Sequence, residues 1–367
     1  MKFASKLLNK LKCLTMIVLV STVVSCDSWL DLGSEDRIME NTLFSSQAGF
    51  MTALNGVYIE LNTNELYGRN LTAGALDVMG QYYSVASSSH AFYNYGGLVY
   101  TGNDEKALFD NMWQKCYAVI ACCNTIIEKC DENKAGLSPV WKGSIKGEAL
   151  ALRAMLHFDM LRLFGPLTSE LDKESIPYQT NSDQTVTPLL SGSEVIGLIL
   201  DDLKNAVGLL KDTDPYFVEE EFSDTDLNYR RFRMNYFAAK GLMARVQLWG
   251  GDKEKAAATA KEVIAEGQAE GAEFFPFVTN SEATSSNPDR VFYSEVLFGT
   301  YHSSREKLHE DLFAPTLEST SILTLAGTAR RDDLYDNEND YRYSVWSTYN
   351  KNGTSVLYHR KFEKQDN

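Results

Sequence analysis

Positive charge, histidine and long apolar runs are all scarce in this chain, and each scarcity excludes something. Against 50 acidic residues stand only 35 lysines and arginines, a formal net charge of −15 over 367 residues. A field of that sign repels phosphate backbones and anionic headgroups, which excludes nucleic acid and an anionic membrane surface as partners. The apolar run near the N-terminus, Cys13 to Ser25, falls short of the ~20 residues a membrane-spanning helix needs. The histidines (His90, His157, His302, His309, His359) are scattered. His302 and His309 are seven apart, a helical rise of about 10 Å, too far to chelate one metal. No phosphate-cradling Gly-Lys-Ser/Thr loop, dinucleotide glycine fingerprint or nucleophile elbow occurs, so neither a cofactor nor a catalytic nucleophile is expected. The pairs Asp201-Asp202 and Asp332-Asp333 read as solvated surface in so acidic a protein. Cysteine is equally uninformative for chemistry. Cys116, Cys123 and Cys130 recur every seven residues, about 10.5 Å apart on one helical face, too far for a disulfide. They read as buried free thiols, while Cys122 points elsewhere.

What is present begins with an export signal. Lys2, Lys6, Lys10 and Lys12 precede the apolar run of about a dozen residues, and small residues lead to Val23-Val24-Ser25-Cys26. A cysteine directly after such a run marks a lipoprotein cleavage site. Residues 1–25 would be removed and Cys26 acylated, which takes the net charge from −15 to −19 as four lysines leave. Each acyl CH₂ contributes roughly 0.8 kcal/mol of anchoring, so the mature chain would be tethered to the membrane without spanning it.

The remainder reads as mostly α, a stack of helical hairpins. The segment after Ser138 is the most informative. Ser138-Pro139 supplies a cap and a first-turn proline; Gly165-Pro166 supplies a left-handed cap and a stop. Between them nearly every position from Ala149 to Phe164 is apolar. The exceptions fall on two opposite lines, Glu148/Asp159/Arg162 and Arg153/His157. A helix apolar on both flanks is sandwiched between neighbours, and Arg153 and His157 then serve to hold those neighbours.

Thr42–Asn62 carries a stripe of Phe50, Leu54, Val57 and Leu61. Asp104 caps a long helix to about Cys130, whose apolar arc includes a buried, hydrogen-bonded Asn124. Gly192–Lys211 is amphipathic. Met234–Glu266 forms a hairpin about the turn Gly250-Gly251-Asp252, close to the ~34-residue tetratricopeptide repeat. Two stretches lack helical periodicity. Residues 67–103 are rich in Gly, Ser, Asn and Tyr, a long irregular loop of a kind that usually carries function. From residue 267 onward strands, turns and loops are expected, with short runs at Val291–Phe298 and Tyr341–Tyr349.

Several blocks, in order, resemble the SusD/RagB family of outer-membrane nutrient-uptake lipoproteins. Cys26 is followed by Trp29-Leu30-Asp31. Trp113, Tyr117, Ile120 and Asn124 match a Trp-x3-Tyr-x2-Ile-x3-Asn helix. Gly147-Glu148-Ala149, Leu152-Arg153-Ala154, Phe158 and Phe164-Gly165 match the family's most recognisable segment, and Ala238 to Val246 with Gly251-Asp252 and Ala256 match a later one. The resemblance runs from Cys26 to the end. It departs in one respect: family members continue into a final helical pair with an Arg-x-x-Glu-like start and an Asn-x-x-Arg segment, which are not found in this chain.

The resemblance implies a right-handed superhelix of tetratricopeptide-like hairpins over about 42–266, with a loop-rich ligand-binding region. It implies a non-catalytic lipoprotein on the outer face of the outer membrane. Such a protein captures oligosaccharide and passes it to a SusC-like TonB-dependent transporter, over which it sits as a lid. Sugar C–H faces pack on aromatic planes while hydroxyls seek polar groups. The candidates are Asp77, Tyr82, Tyr83, Tyr93, Asn94 and Tyr95 from the aromatic loop, with Trp346 and Tyr349 from the later part. Two other cargoes or activities fit the same residues less well: a peptide or glycopeptide, and an α-helical glycoside hydrolase, which would need a pair of carboxylates across the cleft.

Overall fold

The computed structural model describes residues 35–364, apart from 184, 270, 271 and 338. The expected leader and Cys26 lie outside the described residues. The chain divides into two units after Ser45. The described part of the first is one short helix, α1 (Glu35–Leu43). The second, Ser46–Asn367, holds the other elements of the described residues.

The stripe of Phe50, Leu54, Val57 and Leu61 is buried on α2 (Gln47–Leu61), but the helix starts later than Thr42. Ser46 stops it: the Ser46 hydroxyl accepts from the Gly49 amide and caps a fresh helix there. Residues 67–103 contain only two short helical turns, α3 (Ala75–Met79) and α4 (Tyr93–Gly96). The long α5 (Asn103–Glu132) is capped by Gly102 and not by Asp104, which sits inside the first turn. A side chain at Gly102 would meet the Glu105 carboxylate at 2.0 Å.

The central helix α6 (Pro139–Phe164) opens on the Ser138 hydroxyl, which accepts from the Trp141 amide. It ends at Gly165, which is extended (φ −84°, ψ 179°) instead of left-handed. The next residue explains this, because Pro166 drives its predecessor toward extended backbone. Glycine is needed for space: a Cβ there would lie 2.4 Å from the Leu161 carbonyl. After α6 come the antiparallel pair β1 (Glu174–Pro177) and β2 (Leu189–Ser191), then α7 (Gly192–Thr213) and the short α8 (Asp224–Asn228). The hairpin α9 (Tyr236–Trp249) and α10 (Lys253–Gly267) follows. Gly251 takes φ +87° in its turn and the Asp252 carboxylate caps α10 through the Lys255 amide. Helix α6 packs most extensively on α7 and next on α5, while α7 also packs on α9. The helices therefore stack as a tetratricopeptide-like array with α6 at its centre.

Gly147 to Phe158 of α6 are buried without a break, so Arg153, His157 and Glu148 lie inside the stack, while the polar line that starts at Glu148 runs out through half-buried Asp159 to exposed Arg162. Arg153 makes paired hydrogen bonds to Asp202 of α7 (2.6 and 2.7 Å) and one to Asn124 of α5 (2.9 Å). Asn124 in turn donates to the Gln179 and Asn181 carbonyls. His157 accepts from the Gln179 amide at 3.0 Å and stacks on Tyr178 at 4.0 Å. Asp202 is thus a buried ion-pair partner and not solvated surface, since α7 turns it toward Arg153 of α6; Asp332 and Asp333 are exposed. Cys116, Cys123 and Cys130 are free and buried, with their thiols pushed up by burial.

Close approach of α6 and α7 depends on glycine. A Cβ at Gly147 would fall 2.7 Å from Leu210 Cγ. Gly147→Ala should gain about 1 kcal/mol of helix propensity and lose roughly 1–3 kcal/mol to overpacking. A net loss of about 1 kcal/mol is expected, read as a lower denaturation midpoint at unchanged m-value.

A second core forms beyond the helices. The rest of the chain supplies α11 (Asn280–Ala283), α12 (Arg305–Leu312), α13 (Thr328–Leu334) and the strands β3 (Gln268–Ala269), β4 (Ala272–Glu273), β5 (Trp346–Lys351) and β6 (Thr354–His359). Strands β5 and β6 pair from Trp346–His359 to Lys351–Thr354 about Asn352-Gly353, both at positive φ. Val291–Phe298 forms no strand and contributes only a 3₁₀ turn at Tyr293–Glu295. The aromatic loop packs onto this region: Val78, Tyr83, Phe92 and Tyr95 share one cluster with Phe313, Trp346, Leu357 and Phe362.

Candidate ligand-binding site

The loop is pinned by backbone pairing. The Ser84 amide donates to the Thr324 carbonyl at 2.7 Å, and the Thr324 hydroxyl donates to the Leu357 carbonyl of β6. This brings α3 and the residues after it against β6, and a pocket of about 360 Å³ opens where they meet. Its walls include Asp77, Tyr82 and Tyr83 from the loop, with Tyr335, Arg342, His359 and Lys361 from the later part.

Most of the wall residues are held by neighbours. The hydroxyls of Tyr82 and Tyr335 are 2.6 Å apart, and Arg342 lies over the Tyr335 ring at 5.4 Å while pairing with Asp340 at 2.6 Å. The Tyr82 and Tyr83 rings meet edge-on at 4.9 Å. Tyr83 shares a 3.0 Å hydrogen bond with His359 Nδ1, and the Trp346 ring lies 4.4 Å from the His359 ring. His359 Nε2 is buried without a hydrogen-bond partner among the described residues.

Burial sets the electrostatics. It lowers the His359 pKa to about 3, with Lys361 adding to the effect, so the ring is neutral. It raises Asp77 to about 6, an effect the nearby Lys361 opposes, and lowers Lys361, which Asp77 opposes. Tyr82 is pushed up by burial and then by its bond to Tyr335. The pocket therefore offers a carboxyl that titrates near neutrality, phenolic hydroxyls, an ammonium and ring faces. That set can hydrogen-bond a polyhydroxylated ligand in both directions. Among the described residues there is no cluster of three or more His, Cys, Asp or Glu able to hold a metal.

The eight residues expected to contact ligand are not brought to one surface. Asp77, Tyr82 and Tyr83 line the pocket. Trp346 is buried behind it against His359. Tyr95 is buried in the same aromatic cluster, and exposed Asn94 is tied to Glu105 at 2.8 Å. Tyr93 is exposed and outside the lining. Tyr349 is exposed three residues along β5 from Trp346, hence on the opposite face. Tyr335, Arg342, His359 and Lys361 escaped the sequence reading, because segments without periodicity give no signal of which side chains converge.

A family model described as starch-binding and associating with the outer membrane matches residues 28–248, over half the chain. The chain belongs to the SusD-like family. It is 26% identical over 258 residues to SusD-like protein P2 of Formosa agariphila, which spans 68% of this chain and 45% of that relative. A SusD-like protein of Bacteroides ovatus is 26% identical over 251 residues, or 66% of this chain and 40% of the relative. The chain thus spans less than half the length of these relatives. Solved structures share the fold. A SusD-like carbohydrate binding protein from Bacteroides vulgatus superimposes with a TM-score of 0.66 at 20% identity, over 88% of this chain and 66% of that one. A SusD superfamily protein from Bacteroides thetaiotaomicron gives 0.60 at 20% identity, over 86% and 69%. The SusD-like helical array is accordingly the family scaffold, and the pocket lies in the irregular part it carries.

Proposed function

We propose that this SusD-like chain captures oligosaccharide in the pocket between the aromatic loop and the β5–β6 hairpin, and hands it unaltered to a SusC-like TonB-dependent transporter. Acylation of Cys26 tethers it to the outer membrane, facing the cell exterior. The observation that carries this reading is the convergence of Tyr82, Tyr335, Asp77 and Lys361 on one pocket, ring faces beside hydrogen-bonding groups. Family membership and the carbohydrate binding named for the Bacteroides vulgatus structure support the same cargo. Binding without cleavage is favoured by the lining itself: Asp77 is its single carboxylate among the described residues, whereas glycoside hydrolysis in its usual form uses two.

Calorimetry against a panel of neutral and acidic oligosaccharides tests the proposal. Tyr82→Ala should weaken binding of the best ligand by about tenfold or more, the loss of one stacking anchor. Affinity should change across pH 6 as Asp77 ionises, and Asp77→Asn should flatten that dependence. Binding indifferent to both variants would sink the assignment, as would release of shortened sugars.

A further inference from the structure

A second depression lies elsewhere in the fold, built from α2, the segment before α9, and the loop before α12. It encloses about 520 Å³, within the roughly 300–1,000 Å³ typical of small-ligand sites. Its rim is unusually apolar for a surface: Ile59, Tyr229 and Tyr301 are each more than half exposed. Phe232 lies between them, 5.4 Å from the Tyr301 ring and 6.2 Å from that of Tyr229. Isolated exposed apolar residues need no explanation, but a contiguous cluster of this kind marks a binding surface.

Two polar atoms say what kind. Asn62 donates through Nδ2 to the Tyr58 and Tyr301 carbonyls, which fixes its amide, and leaves Oδ1 buried with no partner among the described residues. Arg233 bonds Glu148 through Nε at 3.1 Å and Asn55 through Nη1 at 2.7 Å, and leaves Nη2 buried without one. Both residues line the depression. An unmatched acceptor and an unmatched donor, each locked by its other bonds, are costly unless something meets them. The guanidinium charge is already answered. Glu148 and Asp214 face Arg230 and Arg233 in one cluster, two anions against two cations. Nη2 is therefore a donor without a surplus positive charge, suited to a hydroxyl and not to a carboxylate. A neighbouring depression of about 630 Å³ shares Phe232 and Tyr301 as lining, which leaves room for a chain-like ligand beyond one ring.

We infer that this depression is a second carbohydrate site, for a neutral glycan whose ring stacks on Tyr229 or Tyr301 while its hydroxyls meet Asn62 Oδ1 and Arg233 Nη2. It is separate from the pocket at Asp77, shares no lining residue with it, and stands whether or not that pocket binds sugar.

The test uses the full chain with maltoheptaose, cellohexaose, xylohexaose and mannohexaose, and with oligogalacturonate as the acidic comparison. Hydrogen exchange should show slowed exchange in 55–62, 229–233 and 298–303 with at least one neutral oligosaccharide. Tyr229→Ala and Tyr301→Ala, both exposed and expected to leave the unfolding transition unchanged, should remove that protection and weaken the corresponding affinity about tenfold or more. Tyr82→Ala should leave it in place, which separates failure here from failure of the first site. No protection of these segments by any neutral sugar would overturn the inference. So would preference for oligogalacturonate, or a concentration-dependent dimer abolished by Tyr301→Ala without any effect of sugar.

Discussion

Arg230→Met is expected to lower the unfolding free energy by about 3–5 kcal/mol, the range for breaking a buried ion pair from one side. Arg230 is 1% exposed and serves two carboxylates on different elements. It makes paired hydrogen bonds to Asp214 at the end of α7 (3.0 and 2.7 Å) and a further one to Glu148 of α6. Removing it leaves Glu148 with Arg233 and the Tyr58 hydroxyl as remaining partners. Asp214 fares worse. It is fully buried and, among the described residues, retains only the Tyr216 and Tyr236 amides. The loss should therefore trace to Asp214, and Arg230→Met with Asp214→Asn should recover part of it. Chemical denaturation of the two variants reads this directly. A single-variant loss below about 1 kcal/mol would mean that water reaches Asp214 once the guanidinium has gone. By contrast Lys134→Ala, removing an exposed partner of Glu132, should change stability by well under 1 kcal/mol.

The helical part was legible because burial on two flanks leaves a periodic trace. The stripe on α2, the cap at Ser138, the turn at Gly250-Gly251-Asp252 and the sandwiching of α6 are all written in residue spacing. Boundaries were less so. A competing hydroxyl at Ser46 and the influence of Pro166 on Gly165 shifted an end or a conformation by local chemistry that periodicity does not register. Asn352-Gly353 between two β-prone runs is a readable hairpin signal, since a type I′ turn needs positive φ at both positions. Asp202 was misjudged for a different reason: an acidic pair in an acidic chain carries no information until the facing Arg153 is known. The pocket shows the same limit more severely. Ring-rich loops announced that something binds there, but aromatic residues serve core and surface alike. Tyr95 and Trp346 went to the core, and Tyr335, which meets the Tyr82 hydroxyl, arrived from more than 250 positions away.

Lowering the pH from 7 to 4.5 is expected to destabilise the fold by about 3–4 kcal/mol net, with two deeply buried histidines as the main cause. His157 and His359 are buried and neutral, each held near a pKa of about 3 by burial. An unfolded histidine titrates near 6.5, so the unfolded chain takes up protons that the folded chain refuses. A depressed base of this kind contributes stability above about pH 6.5 and loses it as pH falls toward 3. At pH 4.5 the loss approaches 2.7 kcal/mol for each ring, at about 1.36 kcal/mol per pH unit. Asp77 works the other way. Its folded pKa, raised to about 6, makes its ionised form a liability above that pH, and protonation on acidification returns roughly 1–2 kcal/mol after allowance for its partial exposure. The histidines win because His157 and His359 are more deeply buried, and His90 and His309, also lowered by burial, act in the same direction. His157→Gln should flatten the acid slope of the helical stack, where the ring accepts from the Gln179 amide. His359→Gln should flatten it for the loop core, where the ring meets Tyr83. If the stack and the loop core melt as one, either variant changes the single transition; if they melt apart, each changes its own. Stability flat between pH 7 and 4.5 would mean both rings are protonated in place, and hence that neither core excludes water.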